Sequence, residues 1–380
     1  MGEYWLRSQQ DAEDLVRGAT LFGTGGGGSP EEGRRLLAEA LAGGLKVGWV
    51  DPESIGDDDY TMCVSFMGNR ARLTPEDERK KLALGLTDFT YPDNMRKAAE
   101  VLIEVLGFRP KYIVCPELGG SNTPVPLCTA ARLGMLAVDG DYAGRAIPEI
   151  AQCTPCLYGL PILPMVSVDK WGDVTIVREA RNCGMAERVG KMLAMAAFGN
   201  TALAGFVLSG RDTRRVLVRD TLSESLRVGR AIREALERGT DPVDAAVRAT
   251  GGRVLFVGEL ARTEAGVVDG YYQGYHYFVG RGDWQGQEAR VWFRNENHVM
   301  WVGDRVVATS PDLIMQMDPS CGEPIPNHSL EVGRTVALLA APARKVHLTP
   351  GAIERLGPRH YGFDIDYRPA FGDAARDGGN

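Results

Sequence analysis

Acidic side chains follow two apolar, strand-like segments at the point where each segment ends. Glu117 comes just after the segment 111–115, and Asp139 and Asp141 follow the segment 135–138. Parallel neighbouring strands bring their carboxyl ends to one edge of a sheet, where open α/β sheets bind ligands. Carboxylates persist together in a partly dry cleft when they bind a cation, share a proton or face a basic substrate group. We therefore predict that these three acids are catalytic residues.

Polar residues downstream of the two strand ends extend this predicted site. Asn122 follows Glu117 closely, and Arg145 and Glu149 follow Asp141. We predict that Asn122 binds substrate and that Glu149 is catalytic. Arg145 either neutralises one of the carboxylates or holds a substrate carboxylate, and the sequence leaves both roles open.

A run of glycines at 23–28 leads into Ser29-Pro-Glu-Glu32, which is a capping-box signature with proline at the first helical position. The pattern predicts that a helix begins at Pro30. Backbone amides and the helix dipole at such an end favour negative charge. Gly25, Gly26 and Gly27 are therefore predicted to bind a substrate carboxylate.

The same glycines match the dinucleotide-binding pattern Gly-x-Gly-x-x-Gly at Gly23, Gly25 and Gly28. That fingerprint requires a strand before the loop, whereas residues 10–22 have helical spacing. A nucleotide site, an anion site and a purely structural turn all remain open at this loop.

A second polar group, Phe293-Arg-Asn-Glu-Asn-His298, lies in a strand-like pattern late in the chain. Strict alternation would make about half of these positions polar, and the segment has more. A solvated strand face is one explanation. The functional alternative makes Asn295 and Glu296 substrate-binding residues that close the cleft.

The predicted cofactor is a divalent metal ion, with zinc favoured and no cofactor as the alternative. The candidate ligands are Asp139, Asp141 and His298. A divalent ion brings the pKa of its bound water down towards ~7. Zinc normally also recruits His or Cys, and all five histidines lie in the last third of the chain.

These residues need a scaffold of alternating strands and helices. The strand at 111–115, the helix at 124–133 and the strand at 135–138 form a βαβ crossover, which implies parallel strands. We predict an α/β domain over 1–165, an α+β, β-rich domain over 166–370 and a flexible tail over 371–380. The second domain is expected to contain a hairpin near 166–179, a helix over 222–236 and a late antiparallel sheet.

Composition narrows the function classes. The chain has 380 residues, with 43 basic and 50 acidic side chains and a net charge of −7. Nucleic-acid and anionic-membrane binders need a basic face, so neither partner is predicted. The sequence has no apolar run of ~18 residues that would suit a membrane span. The N-terminus lacks the basic and apolar regions that are typical of a signal peptide. A cytoplasmic protein is expected.

The cysteines are predicted to be reduced. Seven of them are spread along the chain, which is typical of buried thiols rather than a disulfide framework. Cys153 and Cys156 form a Cys-x-x-Cys pair around Pro155. Metal binding or redox chemistry by this pair is a less favoured hypothesis than two reduced thiols.

An ordered series of motifs over residues 10–368 resembles the S-methyl thiohydantoin desulfurase-like family. The motifs are Thr24-Gly-Gly-Gly-Gly28, Glu117-Leu-Gly-Gly-Ser-Asn122, Asp139-Gly-Asp141, Gly144-Arg-Ala-Ile-Pro-Glu149, Asn295-Glu-Asn297, Pro311-Asp-Leu-Ile314 and Gly322-Glu-Pro324. The resemblance implies an N-terminal and a C-terminal family domain. It also implies hydrolytic, metal-dependent removal of sulfur or methanethiol from a five-membered thiohydantoin ring.

The predicted function is therefore that of a hydrolase for a small cyclic amide or thiohydantoin, in which activated water cleaves a C–S or C–N bond. A nucleotide-dependent oxidoreductase is one alternative. The resemblance also implies an association with hydantoinase- or oxoprolinase-type proteins, so a non-catalytic partner subunit is the other. The expected partners are a small-molecule substrate, such a hydantoinase-type protein and further copies of the chain.

Overall fold

A computed structural model describes residues 2–68, 73–86 and 90–371. The predicted tail, 371–380, lies outside the described residues except for Phe371. Within the described part, no helix combines the length and the apolar character that crossing a bilayer requires.

The helices of the described residues are short to medium in length. They are α1 (Gln9–Phe22), α2 (Pro30–Ala42), α3 (Pro75–Ala83), α4 (Asn94–Leu106), α5 (Pro124–Arg132), α6 (Thr154–Leu157), α7 (Cys183–Ala196), α8 (Gly210–Val216), α9 (Thr221–Glu237), α10 (Pro242–Thr250) and α11 (Pro350–Leu356).

The strands of the described residues belong to two sheets. They are β1 (Glu3–Trp5), β2 (Gly48–Val50), β3 (Tyr60–Gly68), β4 (Tyr112–Cys115), β5 (Leu136–Asp141), β6 (Met165–Val168), β7 (Val174–Val177), β8 (Asn200–Ser209), β9 (Val218–Arg219), β10 (Arg253–Val268), β11 (Tyr271–Gly280), β12 (Glu288–Arg294), β13 (Glu296–Val302), β14 (Arg305–Thr309), β15 (Leu313–Met317) and β16 (Thr335–Ala341).

The first sheet has the order β1-β2-β5-β4-β3-β8-β6-β7, and β9 pairs with β5. Its centre, β2-β5-β4-β3, is parallel, as the predicted crossover through α5 requires. All four residues of β4 are buried, which is the pattern of a parallel strand covered on both faces. The predicted hairpin is confirmed by the antiparallel pair β6 and β7.

The second sheet is antiparallel, with the order β14-β13-β12-β11-β10-β16-β15. Together the two sheets confirm the predicted fold class, an α/β N-terminal part and a β-rich C-terminal part. Strands β6 to β9 belong to the first sheet although they follow residue 165. The predicted boundary at that residue stays a prediction.

Helices α1 and α9 lie between the two sheets. The hydrophobic core around them includes Trp49 and Ala137 from the first sheet and Met315 and Leu339 from the second. The helices cross closely, since a Cβ atom at Gly18 would lie 1.8 Å from the carbonyl oxygen of Ser225. This middle layer fixes how the carboxyl edge of the first sheet faces the second sheet.

The prediction that all cysteines are reduced is wrong in one place. A disulfide joins Cys156 to Cys183, and spacing alone did not reveal it because the two residues belong to different helices. The other five cysteines are free, and only Cys321 among them is exposed.

Candidate functional site

A cavity of about 590 Å³ lies beyond the carboxyl ends of the central parallel strands. Its volume falls in the ~300–1,000 Å³ range of pockets for small organic ligands. The charged and polar wall includes residues 26–29, Ser121, Asn122, Glu117, Glu149, Glu187, Lys191, Tyr271, Asn295, Glu296 and His328. The first sheet, α7 and the β10–β11 hairpin therefore all contribute to one space.

The glycine loop between α1 and α2 forms one wall of this cavity. Gly25 and Gly27 have φ angles of 92° and 79°, which glycine adopts without steric cost. The carbonyl of Gly25 accepts from the amide of Asn327 at 2.7 Å, and that of Gly27 accepts from the amide of Asn122 at 3.1 Å. The loop is thus held by hydrogen bonds to both halves of the chain.

The loop lines the cavity just before the start of α2. The side chain of Ser29 accepts from the amide of Glu32, so the predicted N-cap is confirmed. Within the described residues, the amides of Gly27 and Gly28 donate to no protein acceptor. These amides and the helix dipole favour negative charge on a bound group.

The dinucleotide fingerprint is excluded by the element before the loop. Residues Gln9–Phe22 form helix α1, whereas the fingerprint requires a strand that leads into the glycines. The nucleotide-dependent oxidoreductase is therefore not supported.

Glu117 lies just beyond β4, with its side chain half-buried in the cavity wall. Its Oε2 atom accepts from the amide of Ile147 at 2.7 Å, and Oε1 accepts from the side-chain amide of Asn122. Burial raises the pKa of Glu117 to about 7, against the opposing effect of these two hydrogen bonds. The carboxyl group is thus fixed in position and changes charge near neutral pH.

Glu296 reaches the same cavity from the second sheet. The predicted continuous strand across this segment is wrong, because β12 ends at Arg294, β13 begins at Glu296 and the chain reverses at Asn295. Asn295 has a φ of 57°, a left-handed conformation that asparagine tolerates better than most residues. The amide of Tyr272 donates to its side-chain oxygen at 3.1 Å.

The Glu296 carboxyl group is 3% exposed, and its Oε2 atom has no hydrogen-bond partner among the described residues. Burial first, and then the charge of Glu117, raise the pKa of Glu296 well above its ordinary value. A Cβ atom at Gly26 would lie 1.9 Å from the Oε1 atom of Glu296. Only glycine at position 26 therefore allows the loop to approach this carboxyl group so closely.

Sequence models of two S-Me-THD-like domains match the chain, the N-terminal domain over residues 10–179 and the C-terminal domain over residues 181–370. The chain belongs to the S-Me-THD-like family. A crystal structure of a protein from Chromobacterium violaceum covers 97% of this chain and 100% of its own, with 24% identity and a TM-score of 0.77. That likeness shows a shared fold. No curated protein matches the chain.

Asp139 of this S-Me-THD-like protein does not line the cavity. Its Oδ1 atom accepts from the amides of Leu222 at 3.1 Å and Ser223 at 3.0 Å, and its Oδ2 atom accepts from the Ser223 hydroxyl. Asp139 therefore caps the N-terminus of α9, whose own N-cap residue, Asp220, makes no side-chain cap. Burial raises the pKa of Asp139.

Asp141 also lies away from the cavity wall, and its side chain is fully buried. Its Oδ2 atom accepts from the amides of Ala143 at 3.0 Å and Gly144 at 2.7 Å, and Oδ1 accepts from the Thr221 hydroxyl at 2.8 Å. Burial raises the pKa of Asp141 to about 7. The residue ties β5, the following turn and α9 together.

Arg145 is fully buried and connects the two halves of the chain instead of facing the cavity. Its guanidinium donates to the Thr24 hydroxyl at 3.0 Å and to the carbonyls of Pro311 at 3.1 Å and Asn297 at 3.3 Å. These bonds leave it no role in holding a substrate carboxylate.

The residues predicted to bind zinc do not form a metal site. The Nδ1 atom of His298 lies 3.1 Å from the Ser310 hydroxyl, and its ring packs against Tyr361 with centroids 4.0 Å apart and a tilt of 36° between the rings. Protein donors already occupy every carboxylate oxygen of Asp139 and Asp141. No group of three or more His, Cys, Asp or Glu in the described ranges is arranged around a common metal position. Zinc stays a prediction without a matching ligand set in the described ranges.

Glu149 lines the cavity and belongs to an ion-pair group. Arg294 Nη1 lies 3.1 Å from Oε1, and His360 Nε2 lies 3.1 Å from Oε2. Although burial acts to raise it, the hydrogen bond and charge of His360 and the charge of Arg294 hold the pKa of Glu149 below its ordinary value. Glu149 is thus an ionised wall residue rather than a proton carrier.

Sequence reasoning missed a second charged group in the wall. Lys191 Nζ lies 3.3 Å from Glu187 and 3.0 Å from the ring centroid of Tyr271, whose hydroxyl donates to Glu187 at 3.1 Å. Burial raises the pKa of Glu187 and lowers the pKa of Lys191. The sequence feature that could have indicated this pair is the spacing of Glu187 and Lys191, which are four residues apart on one face of a predicted helix.

Of the predicted residues, the cavity wall therefore contains Glu117, Asn122, Glu149, Gly26, Gly27, Asn295 and Glu296. Four predicted residues lie elsewhere: Asp139, Asp141, Arg145 and His298. Gly25 belongs to the loop, but it packs against the Asn327 side chain.

Proposed function

We propose that this protein is a hydrolase that cleaves a five-membered cyclic amide or thiohydantoin, with an S-methyl thiohydantoin as the favoured substrate. The observation that carries the proposal is the pair of carboxyl groups, half-buried Glu117 and buried Glu296, which reach one cavity from the two halves of the chain. Pairs of carboxyl groups with raised pKa values are suited to general acid–base chemistry.

Glu117 is proposed as the general base. A base works best when its pKa lies near the working pH, and burial raises the pKa of Glu117 to about 7. The amide of Ile147 and the side chain of Asn122 hold the carboxylate from two sides. Asn122 is therefore a positioning residue for the group that removes a proton from water.

Glu296 is proposed as the general acid. Its pKa is raised well above the ordinary value, first by burial and then by the charge of Glu117, and this shift favours the protonated form that a general acid needs. Its Oε2 atom is buried and has no protein partner in the described ranges, and the proposal assigns a bound ligand as that missing partner.

The glycine loop is proposed to stabilise developing negative charge. Gly27 and Gly28 line the cavity just before the start of α2, and the proposal assigns their amides to this role. Fixed N–H groups aimed at such charge lower the free energy of the transition state without reorganisation.

The proposed reaction on an S-methyl thiohydantoin balances as follows. Water attacks the ring carbon that carries sulfur, and Glu117 takes one of its protons. The C–S bond then breaks as a carbonyl forms, Glu296 protonates the departing sulfur, and the proton on Glu117 passes to the ring nitrogen. The products are a hydantoin and methanethiol, and reprotonation of Glu296 from solvent accompanies proton loss from the new hydroxyl group.

The test is an assay of the purified protein with the propionate derivatives of hydantoin, thiohydantoin and S-methyl thiohydantoin. Released methanethiol or sulfide is measured with a chromogenic aryl disulfide, and ring opening is followed by chromatography. We expect methanethiol release by the wild-type protein and loss of at least ~10²-fold in Glu117→Gln and Glu296→Gln. Glu100→Gln, an exposed change on α4, is the control and should retain full activity.

Absence of turnover on all three compounds would overturn the proposal and favour the non-catalytic partner subunit. Equal activity of Glu117→Gln and the control would contradict the proposed role of Glu117 as the general base.

A further inference from the structure

Three cysteines lie where the segment after β5 meets α7. Cys153 precedes α6, Cys156 lies within it, and Cys183 is the first residue of α7. The disulfide joins Cys156 to Cys183, with Cα atoms 6.2 Å apart across a sequence separation of 27. The Cys-x-x-Cys motif therefore does not pair with itself, because one member bonds to a cysteine outside it.

The disulfide attaches the first turn of α7 to the segment that carries cavity residues. Glu187 and Lys191 follow Cys183 on α7, and both line the cavity. The Oε2 atom of Glu187 accepts from the amide of Ile150 at 3.0 Å, across the same junction that the disulfide spans. The covalent bond and this hydrogen bond together hold α7 against the cavity wall.

The two sulfurs of the bond differ in accessibility. Cys156 is buried, whereas Cys183 is half-buried at the end of its helix. Thiol–disulfide exchange begins with attack of a thiolate on an accessible sulfur. An external thiol therefore reaches the bond through Cys183.

Cys153 is a cavity-wall thiol that does not compete for this bond. It is 3% exposed, and burial raises the pKa of Cys153 to about 12. Because the thiolate is the nucleophile, a thiol that stays protonated at neutral pH attacks neighbouring disulfides slowly. Cys153 is thus a matched internal control.

We propose that Cys156 and Cys183 form a redox-responsive clamp whose reduction releases α7 from the cavity wall. In the reductive step, a dithiol attacks the bond, forms a mixed disulfide and then closes its own ring. Two electrons and two protons pass to the protein sulfurs, which become thiols, while the dithiol becomes a cyclic disulfide. The change requires no ligand in the cavity, so it is independent of the proposed hydrolytic function.

The experiment compares the full-length protein before and after treatment with dithiothreitol at neutral pH. Alkylation under denaturing conditions, read by mass spectrometry, should label the five free cysteines before treatment and all seven afterwards. Hydrogen–deuterium exchange should then be at least about threefold faster in residues 183–196 of the reduced protein. Exchange in β15 and β16 should not change.

Two variants complete the test. Cys183→Ser should show the fast exchange of α7 without dithiothreitol and no further response to it. Cys153→Ser should keep the disulfide and respond as the wild-type protein does. Labelling of all seven cysteines before treatment would overturn the clamp, and so would equal exchange of α7 in the two states of the wild-type protein.

Discussion

Two acidic pairs lie near the carboxyl edge of the first sheet, Asp139 with Asp141 and Glu117 with Glu296, and they differ in what their oxygens contact. Three protein donors bind Asp139 and three bind Asp141. Glu117 accepts two hydrogen bonds, and one oxygen of Glu296 accepts none within the described residues. Raised pKa values occur in both pairs, so a raised pKa alone does not separate a structural acid from a reactive one.

Hydrogen-bond occupancy and access to the cavity are therefore the criteria that separate the proposed catalytic pair from the structural pair. A carboxylate whose two oxygens both accept hydrogen bonds from the protein stabilises the fold. Protonation of either oxygen would weaken those hydrogen bonds, so such a group is poorly suited to proton transfer. A carboxyl group with an unoccupied oxygen in a cavity can exchange a proton with a ligand.

The largest expected effect is on catalysis. Glu117→Gln should lower kcat/KM on the favoured substrate by ~10² to 10⁴-fold, because the amide cannot act as the base. The thermal midpoint should change little. Asp141→Asn should show the opposite pattern, with a lower thermal midpoint and nearly normal activity of the folded protein. A large loss of kcat in Asp141→Asn without any loss of stability would contradict the structural role of Asp141.

The next effect is on stability. Asp139→Ala should lower the free energy of unfolding by roughly 2–4 kcal/mol, because buried amides at the start of α9 lose their acceptor. Urea denaturation followed by circular dichroism measures this change. Asp58→Ala, on an exposed residue, is the control and should lie within about 0.5 kcal/mol of the wild-type protein. Equal stability of the two variants would contradict the capping role.

A steric substitution tests the approach of the glycine loop to the reactive pair. In Gly26→Ala, the new methyl group would lie 1.9 Å from the Oε1 atom of Glu296, so loop and carboxyl group must separate. We expect kcat to fall by roughly 10- to 100-fold, since small displacements at a reacting group are costly. Gly351→Ala, where a Cβ atom meets nothing within 4 Å, is the control and should leave kcat unchanged. Unchanged kcat in Gly26→Ala would show that the contact is dispensable.

The smallest effect is a gain of stability when a reactive acid is neutralised. The pKa of Glu296 is higher in the folded protein than in the unfolded chain, so the wild-type protein loses stability as the pH rises above the unfolded value of ~4.3. Glu296→Gln should remove this loss and be about 1–2 kcal/mol more stable at pH 8. The difference should vanish near pH 4. Urea titrations at both pH values measure it, and lower stability of Glu296→Gln at pH 8 would contradict the burial argument.

Local patterns in the sequence predicted the scaffold well. The spacing of the crossover predicted parallel β4 and β5, and the Ser29-Pro30 signature predicted the start of α2. These features depend on residues close together in the chain, and so does the polar group that contains Glu296. Local reasoning could therefore place a reactive residue on the correct segment.

Contacts between distant residues could not be predicted in the same way. Asp139 is 83 residues from Leu222, whose amide it accepts, so nothing near Asp139 indicates that it is a helix cap. The reversal at Asn295 was also hidden, because neither glycine nor proline marks a turn in this segment. Sequence spacing could bring acids to one sheet edge, but it could not show which of them were already bonded.

The glycine loop also has a consequence for how the chain can be divided. The carbonyl of Thr24 accepts from the amide of Asn297 at 2.8 Å, and that of Gly25 accepts from the amide of Asn327. Strand β8, which follows the break between the two family segments, lies between β3 and β6 in the first sheet. A fragment that stops at residue 179 would lack both amides and this strand. Hydrogen bonds and strand pairing therefore join the two family segments, and we expect exchange of one segment between relatives to require matched changes in the other.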